Sequence, residues 1–534
     1  MLGLAAREFR HHVLGEQFQA FADMLMRVLA GLVEQDDLID MGGFDPGSDN
    51  DVFSGSEHYT LDWSAPDGPS WKYAGYTLDP LRFPEDARLI KGLYTRECTR
   101  VRRVQGQRIM LVGDMYSEHL AIYRFDEAHG EIAIPCARVM AKGGGAPNAP
   151  QGPWLWMDAN GDGVYQAGEF TALPDLRPGC GPGMDLDSAG DLWIVGSKIL
   201  RLRFAGFDLH GAPTWIAQPE LTERPSIFPS VGGHELKQVL SVPERQEFWL
   251  SGWGAGRPNP LNFFANSGSL LTRYALAPTH AAAKPSVAIP LPTDFLGDGQ
   301  VTRSFDVAGD YVFTADQYDA RILVYDARNG NLVHTMVPGP EVGGRSGWVD
   351  VAHGLSAIRR PNGEYAVLVE DDGFCKLMLY RWNPSDTKLP PTPVVRVENG
   401  ALTWPVDESV GSWTVQVLDG KESRILARNL RVAQFKDPDR LTGARRYQVL
   451  AVNAAGWSAP SAIVELSGRP ANPWCCARLE ATPVPLPRRP GPSTAIPRAT
   501  ATWRIPRLGS VSNCLWEPHP SACVCCRGPV TARI

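Results

Sequence analysis

Residues 311–333 read YVFTADQYDARILVYDARNGNLV. Two short apolar runs, Tyr311-Val312-Phe313-Thr314 and Ile322-Leu323-Val324-Tyr325, are joined by a polar turn. The dipeptide Asn329-Gly330 then leads into Asn331-Leu332-Val333. Runs of four to six β-branched and aromatic residues, punctuated by Asn-Gly, read as antiparallel strands, because each run is too short for a helix that buries a face.

The same pattern recurs on both sides. Ile109–Val112 is followed by Leu120–Phe125 and then Gly130-Glu131-Ile132, and Gly190–Val195 by Lys198–Phe204. Weaker copies join Glu247–Leu250 to Leu270–Tyr274 and Tyr365–Val369 to Lys376–Tyr380. Five copies between about residues 100 and 385 make a repeat. One strand pair cannot bury its apolar face alone, so the units must stack, and four-stranded units stacked radially give a β-propeller. Residues 55–100, with Tyr59-Thr60-Leu61 and Trp71-Lys72-Tyr73, are expected to supply a further blade. The stretches GDLWIVGSKILRLRF (190–204) and 311–333 resemble blades of NHL-like bacterial propellers. That resemblance implies an architecture shared by lyases, hydrolases, sensors and binding scaffolds, and so names no activity.

Lys388–Val395 (KLPPTPVV) reads as a rigid linker, since Pro390, Pro391 and Pro393 cannot continue a central strand. Beyond it stand Ala401–Trp404, Trp413–Val417, Tyr447–Asn453 and Gly456-Trp457-Ser458. This order resembles a fibronectin type III module, which implies a β-sandwich with Trp404 in its core and Tyr447 as its corner tyrosine. The expected fold class is therefore all-β, a propeller plus a fibronectin type III-like sandwich, with a short N-terminal helix and a disordered C-terminal tail. The expected boundaries are 1–54 for an N-terminal helical or irregular segment, 55–387 for the propeller, 388–395 for the linker, 396–468 for the sandwich and 469–534 for the tail.

Composition sets limits on partners. The net charge is −7, but residues 469–534 carry nine Arg against Glu480 and Glu517, which leaves about −14 for residues 1–468. An acidic body of that size argues against nucleic acid as the main partner. No run approaches the roughly 20 apolar residues of a membrane span. Residues 6–34 read as an amphipathic helix packed on the body, not a secretory leader, because Arg7, Arg10, Glu16, Asp23 and Arg27 interrupt it. A misassigned start codon or a truncated gene leaves a leader open. The tail has twelve Pro, no Lys, no Asp and the clusters Cys475-Cys476 and Cys523-Val524-Cys525-Cys526. It reads as a disordered extension or a frameshifted end, and its cysteines lack paired CxxC halves. Fibronectin type III-like modules in bacterial chains imply an extracellular or periplasmic location but name no ligand; a glycan or a protein is the partner expected of a binding scaffold.

An insertion at 143–183 contains Asp158-Ala159-Asn160-Gly161-Asp162-Gly163-Val164-Tyr165-Gln166-Ala167-Gly168-Glu169. Its spacing meets the twelve-residue EF-hand-type loop pattern for Ca²⁺. Asp158, Asn160 and Asp162 offer side-chain oxygens, Val164 a carbonyl, Gln166 a direct or water-bridged contact and Glu169 both carboxylate oxygens, while Gly163 allows the turn. The plainer reading is a solvated polar turn. Pro153 and the strand-like Trp154-Leu155-Trp156 before the loop, with Pro174 after it, argue for a structural ion and against a paired helical sensor.

HExxH, GxSxG and GxxxxGK[ST] are absent. His234-Glu235, Asp316 with Asp319, and Asp350 with His353-Gly354 are candidate acid and base groups that a propeller could gather at its channel. Their plainer reading is loop hydrogen bonding. A second long insertion, 252–268, holds Trp253, Phe263 and Phe264, which read as a small core pinning the loop. Two functions stay open: a calcium-stabilised binding scaffold, or a propeller enzyme acting on carbohydrate as a polysaccharide lyase or a metal-assisted hydrolase or lactonase.

Overall fold

The computed structural model describes residues 42–467 apart from 66–69, 90–97, 115–116, 176–182, 230–235, 256–266, 277–283, 294–300, 318–319, 343–348, 350–353, 372–375, 421 and 439–443. The expected N-terminal helix and the tail from 469 lie outside the described residues.

Among the described residues, six antiparallel sheets follow one another between Gly42 and Trp382. The first runs β1 (Gly42–Asp45), β2 (Ser48–Ser54), β3 (Glu57–Asp62), β4 (Ser70–Tyr76). The second runs β5 (Cys98–Val104), β6 (Gln107–Gly113), β7 (His119–Phe125), β8 (Ala133–Met140), and is widened by β9 (Trp154–Met157) and β10 (Phe170–Ala172). The third holds β11 (Met184–Leu186), β12 (Leu192–Val195), β13 (Lys198–Leu202) and β16 (Glu220–Glu223), with the hairpin β14 (Phe204–Phe207) and β15 (Pro213–Trp215) inserted before its last strand. The fourth is β17 (Leu236–Val242), β18 (Glu247–Gly252), β19 (Leu270–Ala275), β20 (Val287–Pro290). The fifth is β21 (Thr302–Ala308), β22 (Tyr311–Asp316), β23 (Ile322–Asp326), β24 (Leu332–Met336). The sixth has three strands among the described residues, β25 (Leu355–Arg359), β26 (Tyr365–Asp371) and β27 (Lys376–Trp382).

Each sheet buries both faces against its neighbours, so its central strands read as continuous apolar runs. Six apolar clusters fill the six gaps. Phe53, Val101 and Met110 join sheets 1 and 2, Leu120, Ile122 and Leu192 join 2 and 3, and Val195, Phe248 and Leu250 join 3 and 4. Trp249, Ile289 and Leu323 join 4 and 5, Phe313, Val324 and Val367 join 5 and 6, and Phe44, Val52, Ala366 and Leu368 join 6 back to 1. The inner strands also touch in a ring: Phe44 N–H donates to Ser356 Oγ at 3.3 Å, and Gln238 Nε2 to the Phe305 carbonyl at 2.8 Å. The sheets are therefore blades of a closed six-bladed propeller.

The five copies seen in sequence are the second and third strands of blades 2 to 6. Residues 55–100 contribute β3 and β4 to blade 1. That blade begins before residue 55, however. Residues 42–54, expected to be helical or irregular, form β1 and β2 of the propeller. Their sequence, GGFDPGSDNDVFS, carries few apolar residues, and its large buried apolar side chains are Phe44, Val52 and Phe53.

Residues 387–395 are irregular and lead into the sandwich. One sheet holds β28 (Arg396–Glu398), β29 (Ala401–Thr403) and β32 (Gln434–Phe435). The other holds β30 (Ser412–Asp419), β31 (Glu422–Leu430), β33 (Arg445–Asn453) and β34 (Gly456–Trp457), with β35 (Val464–Leu466) pairing β33. Trp404, Trp413, Val415, Tyr447 and Val449 form its core. Tyr447 Oη donates to Asp437 Oδ2 at 2.7 Å. The protein is thus an all-β chain, a propeller followed by a fibronectin type III-like sandwich. No helix among the described residues is long and apolar enough to cross a membrane.

Candidate metal centre

The calcium-loop pattern falls between β9 and β10, the two strands that widen blade 2. Trp154, Trp156, Tyr165 and Met140 pack into a small core beneath it, with Phe170 against them. This aromatic platform explains why the insertion extends the sheet: Trp154-Leu155-Trp156 alternates rings toward that core while pairing Met140, Val139 and Arg138 in turn.

Asp158, at the end of β9, is 2% exposed. Its Oδ1 accepts N–H bonds from Gly161 at 2.9 Å and Asp162 at 3.2 Å, and its Oδ2 accepts from Gly163 at 2.9 Å. Burial pushes its carboxyl above the usual range. The N–H bonds of Gly163 and Gly161 oppose that rise, and the charges of Glu169 and Asp162 add to it. The backbone follows these bonds only because Gly161 and Gly163 take φ of +79° and +73°.

Asp162 Oδ2 accepts from two side-chain amides, Asn160 Nδ2 at 2.9 Å and Gln166 Nε2 at 2.8 Å, and its Oδ1 accepts from Val164 N–H. Asn160, Asp162, Val164 and Gln166 are exposed. Glu169 is engaged differently from the sequence expectation. Its Oε1 accepts from Ala159 N–H at 2.9 Å, and its Oε2 from the Trp156 indole at 2.8 Å and Gln166 N–H at 3.3 Å. Among the described residues no three His, Cys, Asp or Glu side chains are placed to share one metal ion. The structure therefore brings the six loop residues into one hydrogen-bonded turn, with N–H donors where the pattern expects a cation.

The donor set nonetheless suits a hard cation. It is made only of oxygens, its carboxylates lie close enough to repel one another, and two amides aim N–H groups at Asp162. Turning either amide over would exchange its nitrogen for its oxygen and so present an acceptor in place of a donor.

Residues remote in sequence wall the loop. Tyr165 N–H donates to Glu85 Oε2 at 3.1 Å, and a Cβ on Gly161 would lie 2.7 Å from the His210 ring of the β14–β15 hairpin. A cleft of about 260 Å³ opens between loop and hairpin, lined by Asp158, Glu169, Asp208, Thr214, Met157 and Cys136. Glu85, Asp208, His210 and the indole role of Trp156 have no local signal in the sequence.

The channel is also charged. Arg100 and Arg102 both pair with Asp185, at 3.0 and 3.1 Å, and Asp306 Oδ2 accepts from Ala357 N–H at 2.9 Å. These contacts tie neighbouring inner strands together. Of the candidate acid and base residues, Asp316 is 7% exposed and accepts from Val301 N–H at 3.0 Å. His234, Glu235, Asp319, Asp350 and His353 lie outside the described residues. So do Phe263 and Phe264, while Trp253 is buried.

No protein-family model matches the chain, and no curated protein matches it. Among solved structures it is similar to the β-propeller domain of Myceliophteria thermophila Cps50 (Swd1), at 9% identity and a TM-score of 0.36, covering 65% of this chain and 96% of that one. The Pseudomonas aeruginosa periplasmic gluconolactonase PpgL matches at 14% identity and a TM-score of 0.30, covering 81% of this chain and 99% of that one. An Fn3-like protein from Clostridium thermocellum matches at 23% identity and a TM-score of 0.13, covering 15% of this chain and 92% of that one.

Proposed function

We propose that the chain is an extracytoplasmic binding scaffold, an NHL-like propeller stabilised by calcium, whose surfaces and fibronectin type III-like module meet a glycan or a protein. The observation that carries this reading is the turn built on Asp158. A buried carboxylate faces two further acids, and the Asn160 and Gln166 amides occupy the position of a counter-charge. Asp158, Asn160, Asp162, Val164, Gln166 and Glu169 would hold the ion, and Ca²⁺ would supply neutralising charge that locks the insertion onto blade 2. To accept it, the two amides turn their oxygens inward and Glu169 releases its N–H donors.

Calorimetric titration of the metal-stripped protein with calcium, alongside Glu169→Ala, tests the site. The expected dissociation constant is on the order of 10⁻⁴ M or tighter, as for extracellular modules, with binding lost in the variant. Absence of binding by the wild type, or equal binding without Glu169, refutes it.

The scaffold reading is favoured over the carbohydrate-active enzyme because the described channel acids are engaged in holding blades together, Asp185 by two arginines and Asp306 by a backbone N–H. A general acid or base needs its own proton within hydrogen-bond reach of a substrate. Probing a glycan array with the intact protein, then assaying turnover of every glycan retained, separates the two. Binding without cleavage supports the scaffold, and an unsaturated or hydrolysed product overturns it.

A further inference from the structure

Among the described residues, blades 2 and 3 carry strands beyond the four of a plain blade, and these additions meet. Blade 2 is widened by β9 and β10, blade 3 holds the hairpin β14–β15, and blades 4 and 5 have four strands each. The hairpin stands against the loop that follows β9, where a Cβ on Gly161 would lie 2.7 Å from the His210 ring. Between them opens the cleft of about 260 Å³, at the outer end of a six-stranded sheet and away from the channel. Loops and insertions placed by a rigid scaffold are where binding sites are commonly built.

The floor of the cleft continues the apolar packing between blades 2 and 3. Cys136 and Ala212 belong to that cluster, Met157 packs against it, and Pro213 completes the apolar wall. The Cys136 thiol is occupied, since Sγ donates to the Ile122 carbonyl at 3.3 Å. The polar lining is Asp158, Glu169, Asp208, Thr171 and Thr214, with no Lys or Arg among the lining residues.

Most of these polar atoms already serve the fold. Both oxygens of Asp158 and both of Glu169 accept N–H bonds within the insertion. Asp208 Oδ1 accepts from His210 N–H at 2.9 Å and Ala212 N–H at 2.8 Å, which fixes the turn of the hairpin. Thr214 Oγ1 gives its proton to the Gly206 carbonyl at 2.8 Å and keeps its lone pairs. No group among the described residues donates to Asp208 Oδ2 or bonds the half-buried Thr171 hydroxyl.

The spare groups are thus scattered single acceptors and one hydroxyl beside an apolar floor. Sugar hydroxyls donate one bond each, and the C–H face of the ring needs an apolar surface, so a sugar matches this lining. An ammonium gains less, because of the carboxylate oxygens only Asp208 Oδ2 has no donor. A uronate, sulfate or phosphate meets three acids with no cation among the lining residues. The volume is just below the roughly 300–1,000 Å³ of small-molecule sites, which leaves room for about one ring. We propose, on the reading of the chain as a glycan-binding scaffold, that this cleft seats one uncharged sugar ring, with its hydroxyls on Asp208, Thr171 and Thr214 and a C–H face on Met157 and Pro213.

One glycan array probed with the intact protein, Thr171→Phe and Asp208→Asn tests this, followed by calorimetric titration with each glycan retained. Thr171 pairs with Leu155 on the outermost strand of blade 2, so phenylalanine there narrows the cleft from the sheet side. Asparagine at 208 keeps an acceptor for the two N–H groups and puts a donor in place of Oδ2. The expected result is retention of glycans with uncharged terminal residues and not of those ending in a uronate or sulfate. Affinity should be about tenfold or more weaker in both variants, with the circular dichroism of Asp208→Asn unchanged. Equal retention by the wild type and both variants overturns the cleft and leaves the glycan reading standing, whereas a wild type that retains no glycan overturns both. Displacement of the bound glycan by methylammonium, but not by sodium at equal ionic strength, makes the cleft a cation site and overturns the proposal.

Discussion

The indole N–H of Trp156 donates to Glu169 Oε2 across 2.8 Å, joining the buried aromatic core of the insertion to the last residue of the calcium-loop pattern. Trp156 is 1% exposed, so this bond is shielded from solvent. If Glu169 turns both oxygens to a calcium ion, the indole loses its acceptor. Calcium added to the metal-stripped protein is therefore expected to change the near-ultraviolet circular dichroism, and Trp156→Phe to abolish that change while calorimetric binding persists. An identical spectral response in the variant would show that Glu169 keeps its place.

Gly161 tests the turn independently of any ion. Its φ of +79° disfavours a side chain, and a Cβ there would meet the His210 ring at 2.7 Å. Gly161→Ala should cost about 1–2 kcal/mol in chemical denaturation. Gly168→Ala is the control: a Cβ at that position meets nothing within 4 Å, so stability should stay within about 0.5 kcal/mol. Equal effects of the two substitutions would refute the strained-turn account.

His58 makes stability depend on pH. Its Nδ1 lies 2.8 Å from Glu131 Oε2 and its Nε2 3.0 Å from Asp51 Oδ1, while its ring stacks on Phe53 at 4.3 Å. Burial opposes the imidazolium, but the hydrogen bond to Asp51 and the charges of Glu131 and Asp51 outweigh it and raise the pKa. A raised folded-state value means that this stabilisation is complete below the unfolded value of about 6.5 and is lost as pH rises through the folded one. Asp51 is lowered, first by its bond to His58, so its own share is lost only in acid. The melting temperature should fall as pH rises from about 6.5 through the raised folded-state value, and His58→Gln should flatten that slope. An unchanged slope in the variant would assign it to other groups.

How much of this was legible follows from which forces are local. Ile322–Tyr325 announces a strand because a blade buries both its faces, and the residues alone record that. Gly42–Asp45 does not, since its place at the channel depends on Gly43, where a Cβ would lie 2.7 Å from the Thr99 carbonyl of the next blade. The polar turn at Asp158–Glu169 is local enough for spacing to announce it, because its Asx-type N–H bonds span only three to five residues, whereas the calcium that the same spacing suggests stays a proposal. The hold of Trp156 on Glu169, and of Glu85 and His210 on the loop, required the fold. So did Asp437 as acceptor for Tyr447, since the sequence resemblance names the tyrosine and not its partner.

Asn429 couples the sandwich to the propeller. Its Nδ2 donates to the Gly330 carbonyl at 2.8 Å, and its Oδ1 accepts from Leu332 N–H at 2.8 Å, so one side-chain amide completes two backbone positions at the edge of blade 5. Ser412 Oγ also donates to the Leu332 carbonyl, and a Cβ on Gly411 would lie 2.2 Å from the Val333 carbonyl carbon. Asn429 holds this geometry at φ +57°, a conformation that asparagine tolerates better than alanine. Asn429→Ala should therefore cost about 1–3 kcal/mol for the unpaired groups, plus about 1 kcal/mol for the backbone, whereas Asn429→Gly should incur only the first loss. Calorimetry is expected to show the sandwich and propeller melting in one transition in the wild type, and the sandwich melting earlier in both variants. If both variants melt as the wild type does, the amide does not join the two domains.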